Sequence, residues 1–191
     1  MVAARALAAE DLLLRDGIKA ARQSANARYA FDRVGAGLSY WLYETTLVYI
    51  IWRSWMLQGE AAAWDWTAKD LSSAQGPIRG TGRERFDLVL LGDQGPSFIF
   101  EAKWWNDHGS KTRKAIEADI NKLRRYSGRA RKALLLFWLE TQTDDYEASV
   151  ARFVKKNSLA NIGCLTFEAS FRMGNADHLG RFVITCLLVS A

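Results

Sequence analysis

The sequence predicts an α/β fold, a mixed sheet flanked by helices, and three observations predict it. Residues 85–103 hold two apolar runs around a Gly/Pro turn: Arg-Phe-Asp-Leu-Val-Leu-Leu, then Gly-Asp-Gln-Gly-Pro, then Ser-Phe-Ile-Phe-Glu-Ala-Lys. That is the pattern of an antiparallel hairpin. Ser97–Lys103, Lys111–Tyr126 and Lys132–Leu139 then follow as strand, helix and strand, a unit whose strands lie parallel with a right-handed crossover. Two later apolar stretches, Asn161–Phe167 and Phe182–Val189, flank a Gly-Asn-Ala-Asp turn and add a second strand pair.

The elements follow in chain order. Val2–Asp32 is rich in Ala, Leu, Glu, Arg and Lys, contains no proline, and reads as a long helix. Its apolar stripe of Leu7, Leu14, Ile18, Ala21 and Ala25 is thin and Gly17 weakens it. It fits either packing on the domain or an arm for a homodimer or another protein partner. Gly35-Ala36-Gly37 breaks the pattern, and Ser39 is placed to cap a second helix running to about Leu57. Trp41, Leu47, Val48, Ile51, Trp52 and Trp55 recur at helical spacing, so much of that helix is expected to be buried. Trp64–Thr67 reads as a short first strand.

Ala68–Gly82 reads as a loop with Arg79, Arg83 and Arg85 beside it; it fits a solvated loop or a clamp on a phosphate backbone. After the hairpin come Trp104-Trp105 and the polar loop Asn106–Gly109. Ser110 caps the next helix, whose inner face is Ile116, Ile120 and Leu123, with Asp119 at the edge. Tyr146–Lys156 reads as a helix with Val150, Phe153 and Val154 inward. The chain is expected to be one domain: an N-terminal helix over 1–33, a core over 39–139, and a C-terminal helix and strands over 140–191.

Composition narrows the function classes. The 191 residues are 49% hydrophobic and include eight Trp, enough for a globular domain with a real core. A net charge of +5 and a pI near 9.3 favour an anionic partner, nucleic acid above all. Lys111–Lys132 holds nine Lys or Arg against two acids. Lys111, Arg113, Lys114, Lys122, Arg124 and Arg125 are therefore candidates for phosphate contacts. Arg113 and Lys122 are expected to face solvent, off the buried stripe.

His108 and His178 are isolated, which argues against a zinc site. Only Cys164 and Cys186 occur. Pairing about a turn near Asn175 would bring them together, yet the core is large enough for both to remain thiols. The longest apolar run, Thr45–Trp52, is far short of a membrane span. With no signal-peptide pattern after Met1, a cytoplasmic location is expected.

The chemistry lies in the hairpin. Pairing about Gln94 sets Asp87 opposite Glu101, on one face, with Lys103 two residues further along the same face. Two adjacent carboxylates repel unless a cation sits between them, and a hard divalent ion with oxygen ligands answers that need. A neighbouring lysine can orient an attacking water and stabilise charge on a phosphate. A surface ion pair would be the plain alternative, but Leu88, Val89, Leu90, Phe98, Ile99 and Phe100 make both strands read as buried. Glu44 falls on the apolar side of its helix, between Trp41 and Val48. It needs either a basic partner such as Arg53 or a role.

Asp87 on one hairpin strand and Glu101-Ala102-Lys103 on the next resemble the signature of the PD-(D/E)XK phosphodiesterase superfamily, with Phe86 where the family name has proline. The resemblance covers roughly Ser39–Leu139. It implies the restriction-endonuclease-like αβββαβ core, extended here by the N-terminal helix and the C-terminal strands. It further implies a Mg2+-dependent nuclease, with Mn2+ as a substitute ion. Asp87, Glu101 and the carbonyl of Ala102 would hold the ion, Lys103 would orient the water, and Glu44 would assist from the preceding helix. Structure-selective or weakly sequence-specific cutting of DNA is expected ahead of RNA. The alternative is a non-catalytic nucleic-acid-binding or partner-recruited subunit, a defence or toxin effector, on the same fold.

Overall fold

The computed structural model describes residues 44–57, 59–67, 84–105, 110–140, 146–173 and 176–190. The expected helix Val2–Asp32, the Ser39 cap, the Ala68–Gly82 loop with Arg79, the neighbouring Arg83, the Asn106–Gly109 loop and the Thr141–Asp145 turn lie outside them. In chain order the elements are α1 (Glu44–Leu57), β1 (Ala62–Thr67), β2 (Arg85–Gly92), β3 (Gly95–Trp104), α2 (Ser110–Arg125), β4 (Arg131–Glu140), α3 (Glu147–Lys156), β5 (Leu159–Met173) and β6 (Ala176–Val189).

The strands form one six-stranded sheet in the order β1-β2-β3-β4-β6-β5. β3 and β4 pair in parallel, as the crossover through α2 requires, and every other neighbouring pair is antiparallel. The sheet is mixed, as expected. Helix α1 covers one face, where Leu47, Val48, Ile51 and Trp55 meet Leu88, Leu90, Phe98, Phe100 and Phe137. Helices α2 and α3 cover the other, where Ile116, Ile120, Leu123, Val150 and Phe153 meet Val89, Ile99, Leu134 and Leu136. Helices on both faces explain why β2, β3 and β4 read as continuous apolar runs instead of alternating ones. In α3 the inward set is Ser149, Val150 and Phe153, with Val154 half-buried. On the opposite face of the sheet, Trp52 fastens β1 to α1 by donating from Nε1 to the carbonyl of Ala62 at 3.2 Å.

The hairpin is closed by a two-residue loop, Asp93-Gln94, with Gly92 opposite Gly95. Gly95 has φ +100°, a conformation that a residue with a Cβ rarely adopts. From there Leu91 pairs with Pro96, but Leu90 pairs with Phe98, so Ser97 is a bulged extra residue. Its hydroxyl donates to the carbonyl of Leu90 at 3.1 Å. The bulge has a consequence for the site. Without it, the register set at the turn would carry on and Asp87 would face Phe100. With it, Leu88 faces Phe100, the register that pairing about Gln94 predicts; continued by one step, that register would set Asp87 level with Glu101.

β5 and β6 are longer than the sequence patterns indicate, and Met173 pairs with Ala176. Their register corrects one expectation. Cys164 pairs with Thr185, and Cys186 pairs with Gly163. The cysteines are one residue out of step and so point to opposite faces of the ribbon. Cys164 is exposed, Cys186 is buried, and both are free. Burial pushes the Cys186 thiol up to about 12, which keeps it protonated and inert. Alkylation of the native protein is expected to label Cys164 alone, and both thiols after unfolding. Absence of free thiol in the unfolded chain would contradict the pairing.

Candidate active site

The site forms where β2 and β3 part, between the start of α1 and the last turns of α2. Asp87 is held in the plane of the sheet: its Oδ2 accepts the backbone N–H of Ala102 at 2.8 Å. Alternation slips here. Leu88 and Leu90 belong to the α1 face, Val89 to the α2 face, and Phe86 to the α2 face as well. The residue of β1 at the Asp87 level, Asp65, has φ +57°. Two strands that change phase together leave the Asp87 carboxylate free to turn toward the backbone of β3.

Glu101 is 2% exposed, and helix α2 supplies its neighbour. Lys122 Nζ lies 2.6 Å from Glu101 Oε1, donates to the carbonyl of Arg85 at 2.8 Å, and sits 5.5 Å from the centre of the Phe86 ring. Asp119, one turn earlier, bridges the two lysines: Lys122 Nζ is 3.7 Å from Oδ1 and Lys103 Nζ is 3.4 Å from Oδ2. Lys103 completes the chain by donating to Glu44 Oε1 at 2.7 Å, while Glu44 Oε2 accepts the N–H of Trp104 at 3.2 Å. Glu44 is therefore a half-exposed residue of the first turn of α1, not a fully buried one. Its partner is Lys103, not Arg53, which is exposed.

The electrostatics follow from burial and crowding. Desolvation, with the Asp87 charge beside it, pushes the Glu101 carboxyl up to about 9, against the pull of Lys122. Desolvation also raises Asp87, although the Ala102 N–H and the two lysines oppose it. Burial alone would lower Lys103; Glu44, Asp119 and Asp87 outweigh it and hold the ammonium firmly protonated. Lys103 is thus a donor and a positive charge, not a base.

The raised carboxyls have a measurable consequence. Between about 4.5 and about 9 folded Glu101 keeps a proton that the unfolded chain has released. The folded state binds more protons there, so stability falls as pH rises through that window and levels off above it. Glu101→Gln is expected to flatten this slope in denaturant titrations across the window; an unchanged slope would contradict it.

Glu44, Asp87, Glu101 and Lys103 are brought together as the sequence indicates, with Ala102 between them. The basic residues divide. Lys111, Arg113 and Lys114 are exposed on the first half of α2. Arg113 lies 5.8 Å from the Trp105 ring centre and lines a cleft of about 150 Å³ with Arg152 and Lys156. Arg85 pairs with Asp65 and Arg125 with Glu84. Arg124 is half-buried and donates to the carbonyl of Asn157 at 2.6 Å.

Lys122 is the clear correction: it does not face solvent but enters the site. The helical wheel gives the direction of its Cα, and a four-carbon stem reaches well beyond that direction. Asp119 was visible only as an edge residue. The signal for both was Asp119 and Lys122 at i, i+3, flanking Ile120 and Leu123 on a helix that must pack over two carboxylate-bearing strands.

Asp87 and Glu101 are hard oxygen donors. Glu101 Oε1 and Asp119 Oδ2 are buried, and each is held against an ammonium group, Lys122 at 2.6 Å and Lys103 at 3.4 Å. Such oxygens fit a small divalent cation of the magnesium type. Among the described residues, no helix is long and apolar enough to cross a membrane. Compared with protein-family models, with curated proteins and with solved structures, the chain matches none of them.

Proposed function

We propose that the protein is a divalent-metal-dependent nuclease that hydrolyses phosphodiester bonds, with DNA as the favoured substrate and Mg2+, or Mn2+ in its place, as the ion. One observation carries the reading. Glu44, Asp87, Glu101 and Asp119 gather around Lys103 and Lys122 among the described residues, at the end of strands that are otherwise apolar. Burial and crowding hold a proton on Glu101, and a divalent cation would take that proton's place among the four carboxyl groups. The order α1–β1–β2–β3–α2–β4 and the parallel β3–β4 pair support a restriction-endonuclease-like core.

When bound, the ion would supply Lewis-acid stabilisation of charge on the phosphate and on the leaving oxygen. Asp87 and Glu101, with the carbonyl of Ala102, would hold it. Lys103, kept protonated, donates a hydrogen bond to the attacking water or to a non-bridging phosphate oxygen. Glu44 positions Lys103 by accepting its ammonium while anchored on the Trp104 N–H. The reading is tested by incubating the protein with single-stranded, duplex and branched DNA and with RNA, with Mg2+ and with excess chelator. Cleavage that needs the ion is expected. Binding of nucleic acid without cleavage would instead favour a non-catalytic subunit.

The exposed first half of α2 suits the phosphate backbone. Arg113→Glu with Lys114→Glu is expected to weaken duplex binding regardless of sequence. Each lost phosphate contact should lower the salt slope by about 1. Single-turnover cleavage at saturating DNA should be nearly unchanged. Wild-type affinity across a salt series would remove this face from the interface.

A further inference from the structure

We infer that Lys122 is a resident counter-ion of the ion-free site: its ammonium stands against Glu101 until a divalent ion displaces it, and it is then free to meet a phosphate of the substrate. The inference rests on the metal-dependent reading above and extends it to helix α2.

The geometry supports each part. Lys122 Nζ is 2.6 Å from Glu101 Oε1, within hydrogen-bond distance of it. A cation bound to Glu101 through that oxygen would need the space the ammonium fills. Two positive charges cannot share it at close range without strong repulsion in a desolvated site. Lys122 also has somewhere to go. Asp119 Oδ1 is already 3.7 Å away on the same helix, and the side chain is not fully enclosed, with 19% of it exposed. Lys103 does not fit this role. It is tied to Glu44 at 2.7 Å and to Asp119 at 3.4 Å, and neither contact involves Glu101.

Without an ion, Lys122 is the cation in contact with Glu101, beside Asp87 in the same crowded site. It occupies that place at the cost of competing with the metal. Ion binding and Lys122 release are then linked, and the Lys122 contact weakens ion binding by the same factor as the ion weakens the contact.

The test follows both partners. Amine acylation with mass-spectrometric readout is run on the full chain with and without Mn2+, using Lys111 and Lys114 as exposed references. Labelling of Lys122 is expected to rise several-fold with Mn2+, and not to rise in Glu101→Gln. In calorimetry, Lys122→Met is expected to bind Mn2+ about tenfold more tightly than the wild type, the effect of removing a competing charge in contact. Unchanged or lower Lys122 labelling in a wild type that demonstrably binds Mn2+ overturns this inference and leaves the metal site standing. Absence of Mn2+ binding in both proteins overturns the metal reading and this inference with it. If Lys122→Met fails to fold, the labelling of the wild type decides alone.

Discussion

Asp87→Ala and Glu101→Ala are each expected to lower metal-dependent cleavage by at least about a thousandfold, beyond the loss typical of one removed transition-state contact. Asp87 is fixed by the Ala102 N–H, and Glu101 is buried against the charge of Asp87, so neither has a neighbour that could replace it in the same place. A collapse of the fold would mimic this result, and stability separates the two. Glu101→Gln keeps the shape and removes a charge that burial disfavours. It should therefore lose cleavage while being no less stable than the wild type near the top of the pH window, as expected where a site trades stability for function. A variant that melts much earlier would mark Glu101 as a structural residue.

Lys103→Ala is expected to reduce turnover by about 10² to 10³, with little change in divalent-ion binding measured by calorimetry. Its ammonium contacts Glu44 and Asp119, and its protonated state makes it a donor to the reacting groups. The paired substitution Glu44→Gln tests positioning. It removes charge from the 2.7 Å contact but leaves Lys103 in place, so a smaller loss, about tenfold, is expected, with substrate affinity retained. Equal losses in both variants would mean that Glu44 touches the reacting groups directly.

Much of this was legible in the sequence, for reasons particular residues make plain. The hairpin was marked by Gly92 and Gly95 between apolar runs. The buried side of α2 was marked by Ile116, Ile120 and Leu123, all fully buried. Centring on Gln94 gives the observed Leu88–Phe100 register because it absorbs the Ser97 bulge, which no residue pattern announces. The late strand pair shows the reverse case: centring on Asn175 was half a residue off, and in a period of two that was enough to misplace Cys164 relative to Cys186.

Side-chain reach was the other limit. Glu44 found Lys103, and Lys122 found Glu101, across 59 residues and between α2 and β3. Contacts that distant depend on how the helices pack on the sheet. The phase slip at Asp87 was equally invisible: it lies level with Asp65, which has φ +57° but reads as ordinary strand.

The central claim is that the carboxylates of β2 and β3 hold a catalytic divalent ion. The most direct measurement is anomalous diffraction from crystals of the protein soaked in Mn2+. A peak about 2.1 to 2.2 Å from oxygens of Asp87 and Glu101, with the ammonium of Lys122 moved away from Glu101, is the predicted result. A well-ordered site with no peak, and Lys122 still against Glu101, would contradict the account.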